Sequence, residues 1–157
     1  MKIRKARLAD VPELVPMGME LLELHKKFDP VFYRTVARAR WKELSTNYAR
    51  NTVRARKSFI LVAEEGGKLI GFLRAEYASR PPVMLERKEL FVTDLFVSRK
   101  FRGKGVGTAL LNETQRIAKE KNVQWLKLEA DVKNGEARKF YSFSGFYERS
   151  FKLSKRL

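Results

Sequence analysis

The stretch Val97 to Leu111, VSRKFRGKGVGTALL, joins an apolar strand-like end, a glycine-rich turn and a helix-like beginning without interruption. The turn, Arg102 to Gly107, holds three glycines and two cations. Glycine lets a backbone approach a ligand closely, and the first N–H groups of a helix have no partner within that helix. A helix N-terminus also carries about half a positive charge. The turn is therefore typical of a site for a phosphate or a similar anion.

Two common phosphate-binding patterns do not fit this turn. The P-loop needs four residues between its first glycine and a Gly-Lys-Ser/Thr, and the dinucleotide fingerprint needs G-x-G-x-x-G. Here Gly103, Gly105 and Gly107 follow one another as G-x-G-x-G. The spacing therefore disfavours a dinucleotide oxidoreductase and leaves the anion to be identified from the rest of the chain.

Length and composition narrow the possible classes of protein. We expect the 157 residues to form one domain, residues 1–157, because a chain of that length buries a sizeable core. The absence of cysteine excludes thiol catalysis, and a lone histidine, His25, disfavours a metal site. The apolar runs are far shorter than the roughly 20 residues of a membrane helix. The charged N-terminus does not look like a signal peptide, so a cytoplasmic protein without a membrane partner is expected.

The charge balance indicates a surface that attracts polyanions. Lys and Arg number 34 against 18 Asp and Glu, which gives a formal net charge of +16. Such a surface suits nucleic acids, phosphorylated cofactors or acidic proteins, but it also occurs as a merely solvated surface.

Hydrophobic periodicity predicts an α/β (α+β) chain with the order β-α-α-β-β-β-α-β-α-β. Strands are expected at Lys2–Leu8, Ser58–Glu64, Leu69–Ala78, Glu89–Val97, Val123–Val132 and Phe146–Leu153. Helices are expected at Asp10–Phe28, from Asp29-Pro30 onwards, from the glycine turn to about Lys121, and at Glu136–Ser142. Gly66 and Gly67 mark a hairpin turn between the second and third strands.

Three details of the helices are also predicted. Asp10 is expected to cap the first helix, with Glu13 completing a capping box. The buried stripe of the second helix is expected to be Tyr33, Ala37, Trp41, Leu44 and Tyr48. The buried face of the third helix is expected to be Val106, Leu110, Leu111, Thr114, Ile117 and Ala118.

A second segment, Asn134 to Phe146 (NGEARKFYSFSGF), helps to interpret the glycine turn. Together the two segments resemble the signature blocks of the GNAT superfamily of acetyl-CoA-dependent N-acetyltransferases. The family's Arg/Gln-x-x-Gly-x-Gly/Ala core is matched by Arg102, Gly105 and Gly107. Its second block is matched by Asn134, Ala137, Phe140, Tyr141, Gly145 and Phe146. The resemblance implies a twisted, mostly antiparallel mixed sheet of six or seven strands flanked by about four helices.

The resemblance also implies where acetyl-CoA would bind as cosubstrate, with no metal ion. Its pyrophosphate would lie on the backbone amides of Arg102, Gly103, Lys104, Gly105, Val106, Gly107 and Thr108. Its pantetheine arm would pair with the backbone of Leu95, Phe96 and Val97, and Asn134, Ala137, Phe140 and Tyr141 would line the other side.

The chemistry of acetyl transfer suggests the catalytic residues. A primary amine with a pKa near 10.4 is an ammonium ion at pH 7 and must lose a proton before it attacks. In the family, Tyr141 takes the position of the acid that protonates the leaving thiolate; alternatively it only packs or hydrogen-bonds the sulfur. Glu129 is the first candidate base, with a cross-strand salt bridge as its alternative. Asp94 comes next, because a carboxylate within an apolar strand is costly unless paired or functional, and a water chain is a third route.

The acceptor stays open at this point. It is an amine carried by a small molecule or a polypeptide, and the positive charge of the chain weakly favours a neutral or acidic acceptor over a polyamine. His25 lies where the family places part of the acceptor pocket, but a solvated helix end is the expected role. A catalytically silent module that binds CoA or nucleic acid is the alternative function, and the resemblance leaves a homodimer open.

Overall fold

A five-stranded sheet with helices on both faces forms the framework in the computed structural model, which describes residues 1–86 and 88–156. The strands are β1 (Lys2–Lys5), β2 (Ser58–Glu65), β3 (Lys68–Ser79), β4 (Lys88–Val97) and β5 (Trp125–Leu128). The helices are α1 (Val11–Phe28), α2 (Arg38–Arg54), α3 (Val106–Glu120) and α4 (Gly135–Phe143), and short 3-10 turns cover Leu8–Asp10 and Arg99–Phe101. No helix within the described residues has both the length and the apolar character to cross a bilayer.

The sheet is antiparallel except at one edge. Its strands lie in chain order, β1-β2-β3-β4-β5, and only the β4–β5 pair is parallel. The predicted hairpin between β2 and β3 is confirmed, with Gly66 and Gly67 at φ angles of 58° and 75°. The α/β class and the mixed sheet agree with the sequence-based prediction.

Two hydrophobic clusters cover the two faces of the sheet. On one face α3 packs with the residues predicted for it: Val106, Leu110, Leu111, Thr114, Ile117 and Ala118 are all buried. On the other face α1 contributes Leu14, Met17 and Leu21, which pack against β2, β3 and β4. The sheet therefore separates an α3 side from an α1–α2 side.

The strand β4 has a free edge only beyond the point where its parallel partner β5 ends. Val92 pairs with Leu128, the last residue of β5, and β4 then continues alone along Thr93 to Val97 on that side. The register of β4 against β3 shifts at this point, from Ala75–Val92 to Arg74–Asp94, so Thr93 is a bulge residue. Bulges bend a strand and redirect its side chains. On that side β4 has a free edge from Thr93 to Val97, and the space between this edge and the chain that follows β5 is here called the cleft.

The first helix begins where it was predicted, but its start is built differently. Asp10 makes no side-chain cap to α1; its carboxylate instead accepts from the Arg7 N–H at 2.6 Å and from the Arg4 guanidinium. Glu13 accepts from the backbone N–H of Leu69 at 3.1 Å, so it ties α1 to the sheet instead of closing a capping box. The capping-box prediction for α1 was therefore wrong, because Asp10 is engaged by the preceding 3-10 turn and Arg4, and Glu13 by Leu69 of the sheet.

The second helix begins later than predicted, at Arg38. The Asp29 side chain accepts from the N–H groups of Val31 and Phe32, which produces an isolated turn at the Asp29-Pro30 signal. The predicted stripe is also wrong, since Leu44 and Tyr48 are largely exposed. The inward face of the helix follows Trp41, Ser45, Ala49 and Thr52 instead, and Trp41 packs against Val11, Val15 and Ala49 as the predicted stripe required of it.

The predicted sixth strand, Phe146–Leu153, is not formed, and β5 is shorter than the predicted Val123–Val132. The chain after α4 runs beside β5 and contacts it only through side chains. Arg149 lies over the Trp125 ring at 5.3 Å, and Lys152 pairs with Glu129 at 2.9 Å. Alternating apolar residues indicate a strand, but a strand also needs backbone partners, and here none pairs with this segment.

A buried ion-pair cluster joins β1 to the start of α1. The Arg4 guanidinium contacts Asp10 at 2.7 Å and Glu64 of β2 at 2.7 Å, and Asp10 is only 8% exposed. The hydrogen bond from Arg4, together with that from the Arg7 N–H, lowers the pKa of Asp10 below its usual value. A carboxyl whose pKa falls on folding stabilises the protein above its unfolded pKa of about 3.9, and this contribution is lost as the pH falls through the folded pKa.

Replacing Asp10 by Asn is expected to lower the free energy of unfolding at pH 7 by about 2 kcal/mol, since Arg4 loses one of its two charged partners. The difference between Asp10→Asn and the parent protein should shrink as the pH falls below about 4. Urea unfolding at pH 7 and pH 3 measures both effects. Glu120→Gln is the control, because its ion pair with Arg116 is exposed and should contribute little. An equal loss at both pH values would contradict the assignment.

Candidate functional site

The glycine turn before α3 presents a row of free backbone donors. Gly103 and Gly105 have φ angles of 72° and 77°, and Gly105 is the residue that precedes the helix. Within residues 1–86 and 88–156, no group accepts a well-formed hydrogen bond from the N–H groups of Gly103 to Thr108. Alternating left-handed residues and a helix N-terminus together make a concave, positively polarised cradle for an anion.

The two cations of the turn have structural contacts of their own. The Arg102 guanidinium donates from Nε to the carbonyl oxygen of Val97 at 3.0 Å, which ties the turn to the end of β4. The Lys104 ammonium lies 5.5 Å from the centre of the Phe101 ring. The anion cradle is therefore formed by backbone, with the two side chains at its margin.

The free edge of β4 and the helix α4 lie on either side of the cleft. Leu95, Phe96 and Val97 pair with β3 on one side only, so their other edge borders the cleft. Asn134 caps α4 by accepting from the Ala137 N–H at 3.1 Å. At the other side of the turn, a Cβ added to Gly107 would lie 3.2 Å from the Phe140 ring. Glycine at position 107 thus allows α4 to pack against the start of α3.

Tyr141 is packed between aromatic rings on α4 and after it. Its ring centre lies 5.3 Å from that of Phe140 and 5.8 Å from that of Phe146. Burial, and secondly the negative charge of Asp94, raise the pKa of Tyr141 to about 12. The phenol therefore stays protonated at neutral pH and is a hydrogen-bond donor.

A cavity of about 410 Å³ lies on the α1–α2 side of the sheet and reaches Asp94 of β4. Its apolar lining consists of Leu14, Val15, Gly18, Leu21, Leu22, Trp41, Ile60 and Phe72. Its polar lining consists of His25, Tyr33, Ser45, Tyr48, Arg74 and Asp94. A cavity of this size, mostly apolar with a few convergent polar groups, is typical of a site for a small organic molecule.

The bulge on β4 places Asp94 beside Arg74 across the strands. The Arg74 guanidinium forms an ion pair with Asp94, and it donates from Nε to the Thr93 hydroxyl at 2.8 Å. The same guanidinium lies 4.4 Å from the centre of the Tyr48 ring. Arg74 therefore fixes the only carboxylate among the described residues that line the cavity.

The other candidates from the sequence occupy different places. Glu129 lies beyond the end of β5, is exposed, and pairs with Lys152. His25 was expected to be a solvated helix end, but it lines the cavity with its ring 5.0 Å from that of Tyr33. Burial lowers the pKa of His25, while Asp94 and Asp131 oppose that shift. The imidazole is therefore neutral at pH 7.

The sequence-based prediction did not include Arg74 or the contribution of α2 to the cavity. Arg74 sits in a strand at a position that looks like an ordinary solvent-facing cation, and only the register of β3 against β4 brings it to Asp94. Trp41 and Tyr48 showed helical spacing that predicted core packing, yet both line the cavity. The signal that could have found them was a cluster of aromatic residues in the two helices that precede the sheet.

The comparison with known families shows to which protein family this chain belongs. Residues 19–146 match the sequence profile of the acetyltransferase (GNAT) family. The chain belongs to the GNAT family. This confirms the resemblance seen in the two signature blocks and identifies an acetyl-CoA-dependent acetyltransferase.

Individual relatives and structures agree with the family assignment. An uncharacterised N-acetyltransferase from Bacillus subtilis is 29% identical over 94% of this chain and 91% of its own length. An uncharacterised N-acetyltransferase from Methanocaldococcus jannaschii is 31% identical over 83% of this chain, which spans 56% of that relative. The crystal structure of a tetramutant of the BH1408 protein from Bacillus halodurans shares the fold, with a TM-score of 0.89, 24% identity and full coverage of both chains.

The residues at the cleft fit acetyl-CoA as the GNAT cosubstrate. The row of free N–H groups from Gly103 to Thr108 suits a pyrophosphate, which offers several acceptor oxygens and two negative charges. The unpaired edge of β4 suits the amide groups of a pantetheine arm, which would add to the sheet as an extra strand does.

Replacing Gly105 by Ala is expected to weaken acetyl-CoA binding about tenfold. A residue with a Cβ costs about 1 to 2 kcal/mol in the left-handed conformation, so the cradle either strains or loses its shape. Isothermal titration calorimetry with CoA measures the effect. Gly66→Ala is the matched control, since Gly66 has a similar φ in a distant hairpin. This substitution should lower Tm and leave the affinity for CoA unchanged. Unchanged affinity in Gly105→Ala would show that the cradle does not hold the pyrophosphate.

Proposed function

We propose that the protein transfers the acetyl group of acetyl-CoA to a primary amine by direct attack within a ternary complex. The observation that carries this proposal concerns Asp94, which lines the cavity on the α1–α2 side and belongs to the part of β4 that β5 leaves unpaired. A cosubstrate in the cleft and an amine in the cavity would approach each other across the bulged part of β4. No covalent enzyme intermediate is needed, and the chain has no cysteine to form one.

In this proposal the residues at the turn bind and orient the cosubstrate. The N–H groups of Gly103 to Thr108 hold the diphosphate, and the edge from Leu95 to Val97 aligns the pantetheine arm. The side-chain carbonyl of Asn134 caps α4, and in this proposal its NH2 group is a further donor to the cosubstrate. A backbone N–H at the edge of β4 is the natural donor to the oxyanion that forms when the amine attacks.

Two protons leave the acceptor during the reaction. The ammonium loses the first before attack, and the nitrogen loses the second as the amide forms; one goes to solvent and the other to the departing thiolate. We place Asp94 at the first step, since it is the carboxylate that lines the cavity and Arg74 holds it in position. The proton would pass from Asp94 to solvent through water, beside the neutral imidazole of His25.

The role of Tyr141 follows from its raised pKa. A phenol with a pKa of about 12 gives up its proton poorly to a thiolate, since thiols have a pKa of about 8.5. It still donates a strong hydrogen bond to a developing negative charge. We therefore propose that Tyr141 stabilises the leaving sulfur by hydrogen bonding. The proton released from the nitrogen then protonates the thiolate of CoA.

Tyr141→Phe is expected to lower kcat by about 10- to 100-fold with little change in the KM for acetyl-CoA. The hydroxyl would act mainly on the leaving group, whereas the ring that packs with Phe140 and Phe146 is retained. Release of free thiol, measured with any amine that turns over, gives both constants. Tyr147→Phe is the control, because Tyr147 is 68% exposed. Full activity in Tyr141→Phe would remove this residue from the mechanism.

A second pair of variants tests which carboxylate takes the proton. Asp94→Asn is expected to lower kcat/KM for the amine by about 100-fold, whereas Glu129→Gln should stay within about twofold, because Glu129 is exposed and paired with Lys152. Thermal unfolding of Asp94→Asn separates loss of chemistry from loss of stability. An equal or larger loss in Glu129→Gln would make Glu129 the base.

A further inference from the structure

Gly18 occupies the middle of α1, where glycine is an unfavourable choice. Glycine in a helix interior costs about 1 kcal/mol relative to alanine. Its backbone does not need glycine, because positive φ angles occur elsewhere in the chain and not at position 18. A Cβ there would meet only the Trp41 ring, at an ordinary distance of 3.7 Å. Neither backbone geometry nor packing therefore accounts for the missing side chain.

What Gly18 does provide is space in the cavity. It is part of the cavity wall, on the face of α1 that turns toward Trp41 of α2. A methyl group at this position would already take up part of the space beside the indole ring, and a larger side chain would extend into the ring or further into the cavity. The glycine thus keeps the apolar end of the cavity open, which matters only if something occupies that space.

The lining of the cavity divides into a polar end and an apolar end. Asp94 and His25 belong to the polar end, where Arg74 pairs with Asp94 and the ring of Tyr33 packs against His25. Leu14, Ile60 and Phe72 form the apolar floor, where α1 packs on the sheet. An occupant that satisfies both ends carries a polar group at one end and a hydrocarbon body at the other.

The charge of the cavity limits the number of ammonium groups that the occupant carries. Of the described lining residues, Asp94 is the sole carboxylate, and Arg74 already pairs with it. The lining is therefore neutral overall, within a chain of net charge +16. A polyamine or an aminoglycoside would bring several ammonium groups with no further carboxylate to receive them.

We propose that the acceptor is a small primary monoamine on an apolar body of ring size, in chemical terms an arylalkylamine. Its amine lies at Asp94, and its body fills the space that Gly18 leaves open against Trp41 and the floor of the cavity. This inference rests on the proposed acetyl transfer. The volume of about 410 Å³ suits a single ring with a short chain and is too small for a folded polypeptide substrate beyond its terminal residue.

The test is a panel of amines with acetyl-CoA, followed by release of free thiol. Phenethylamine is expected to have a kcat/KM about 10- to 100-fold above that of ethanolamine, because its ring is buried on binding. Spermidine and the dipeptide amide Phe-Gly-NH2 complete the panel. The highest kcat/KM with spermidine would overturn the charge argument. The highest kcat/KM with the dipeptide amide would indicate a protein N-terminus as the acceptor instead of a small molecule. Equal kcat/KM values for phenethylamine and ethanolamine would show that the apolar end of the cavity does not bind the acceptor.

Variants of Gly18 test the cavity directly. The preference for phenethylamine over ethanolamine should fall progressively in Gly18→Ala and Gly18→Leu, by about tenfold in the latter, while CoA affinity stays the same. Glu20→Leu is the matched control, since it adds the same side chain to the exposed face of α1. Gly18→Ala should raise Tm, so this variant still tests the role of the cavity if Gly18→Leu does not fold. An unchanged preference in Gly18→Ala and Gly18→Leu would overturn the inference.

Direct binding separates this inference from the proposed reaction. Calorimetry of phenethylamine with the protein–CoA complex measures occupancy of the cavity without turnover. Binding without thiol release from any amine would overturn the acetyl transfer but keep the cavity assignment. Thiol release with an amine of another class, and no phenethylamine binding, would overturn the acceptor class alone.

Discussion

The unequal length of two neighbouring strands is the constraint on which the site depends. β5 ends at Leu128, opposite Val92, while β4 continues to Val97. A strand without a neighbour exposes backbone N–H and C=O groups, and most proteins cover such an edge. Here the edge borders the cleft that the glycine turn closes at one end. The same position carries the Thr93 bulge, which turns Asp94 toward the opposite face of the sheet.

The two sites of the proposed function differ in construction, one being formed mainly by backbone and the other by side chains. The cosubstrate side consists mainly of backbone: free amides at the start of α3 and an open strand edge. The acceptor side consists of side chains from α1, α2 and three strands. Backbone geometry depends on a few glycines, so it tolerates change elsewhere, whereas a side-chain cavity changes with every substitution in its lining. This difference explains how one fold can keep a single cosubstrate and accommodate many acceptors.

Local patterns predicted the parts of the molecule that local physics determines. The buried face of α3 and the hairpin at Gly66 follow from helical periodicity and turn chemistry, and the glycine turn leads into a helix with left-handed glycines as its sequence predicts. The errors arose where tertiary partners decide. Phe146–Leu153 alternates as a strand does but lies beside a short edge without backbone pairing, and Asp10 exchanges its cap for Arg4. The partnership of Arg74 with Asp94 depends on a register shift that no sequence window contains.

The electrostatic contact between Asp94 and Tyr141 links the two sides of the sheet. The charge of Asp94 helps to raise the pKa of Tyr141. A cation that binds beside Asp94 offsets that charge and therefore lowers the pKa of Tyr141. An ammonium ion in the cavity would therefore strengthen the phenol as a hydrogen-bond donor toward the sulfur. In the proposed reaction, the acceptor itself would thus help the leaving group to depart.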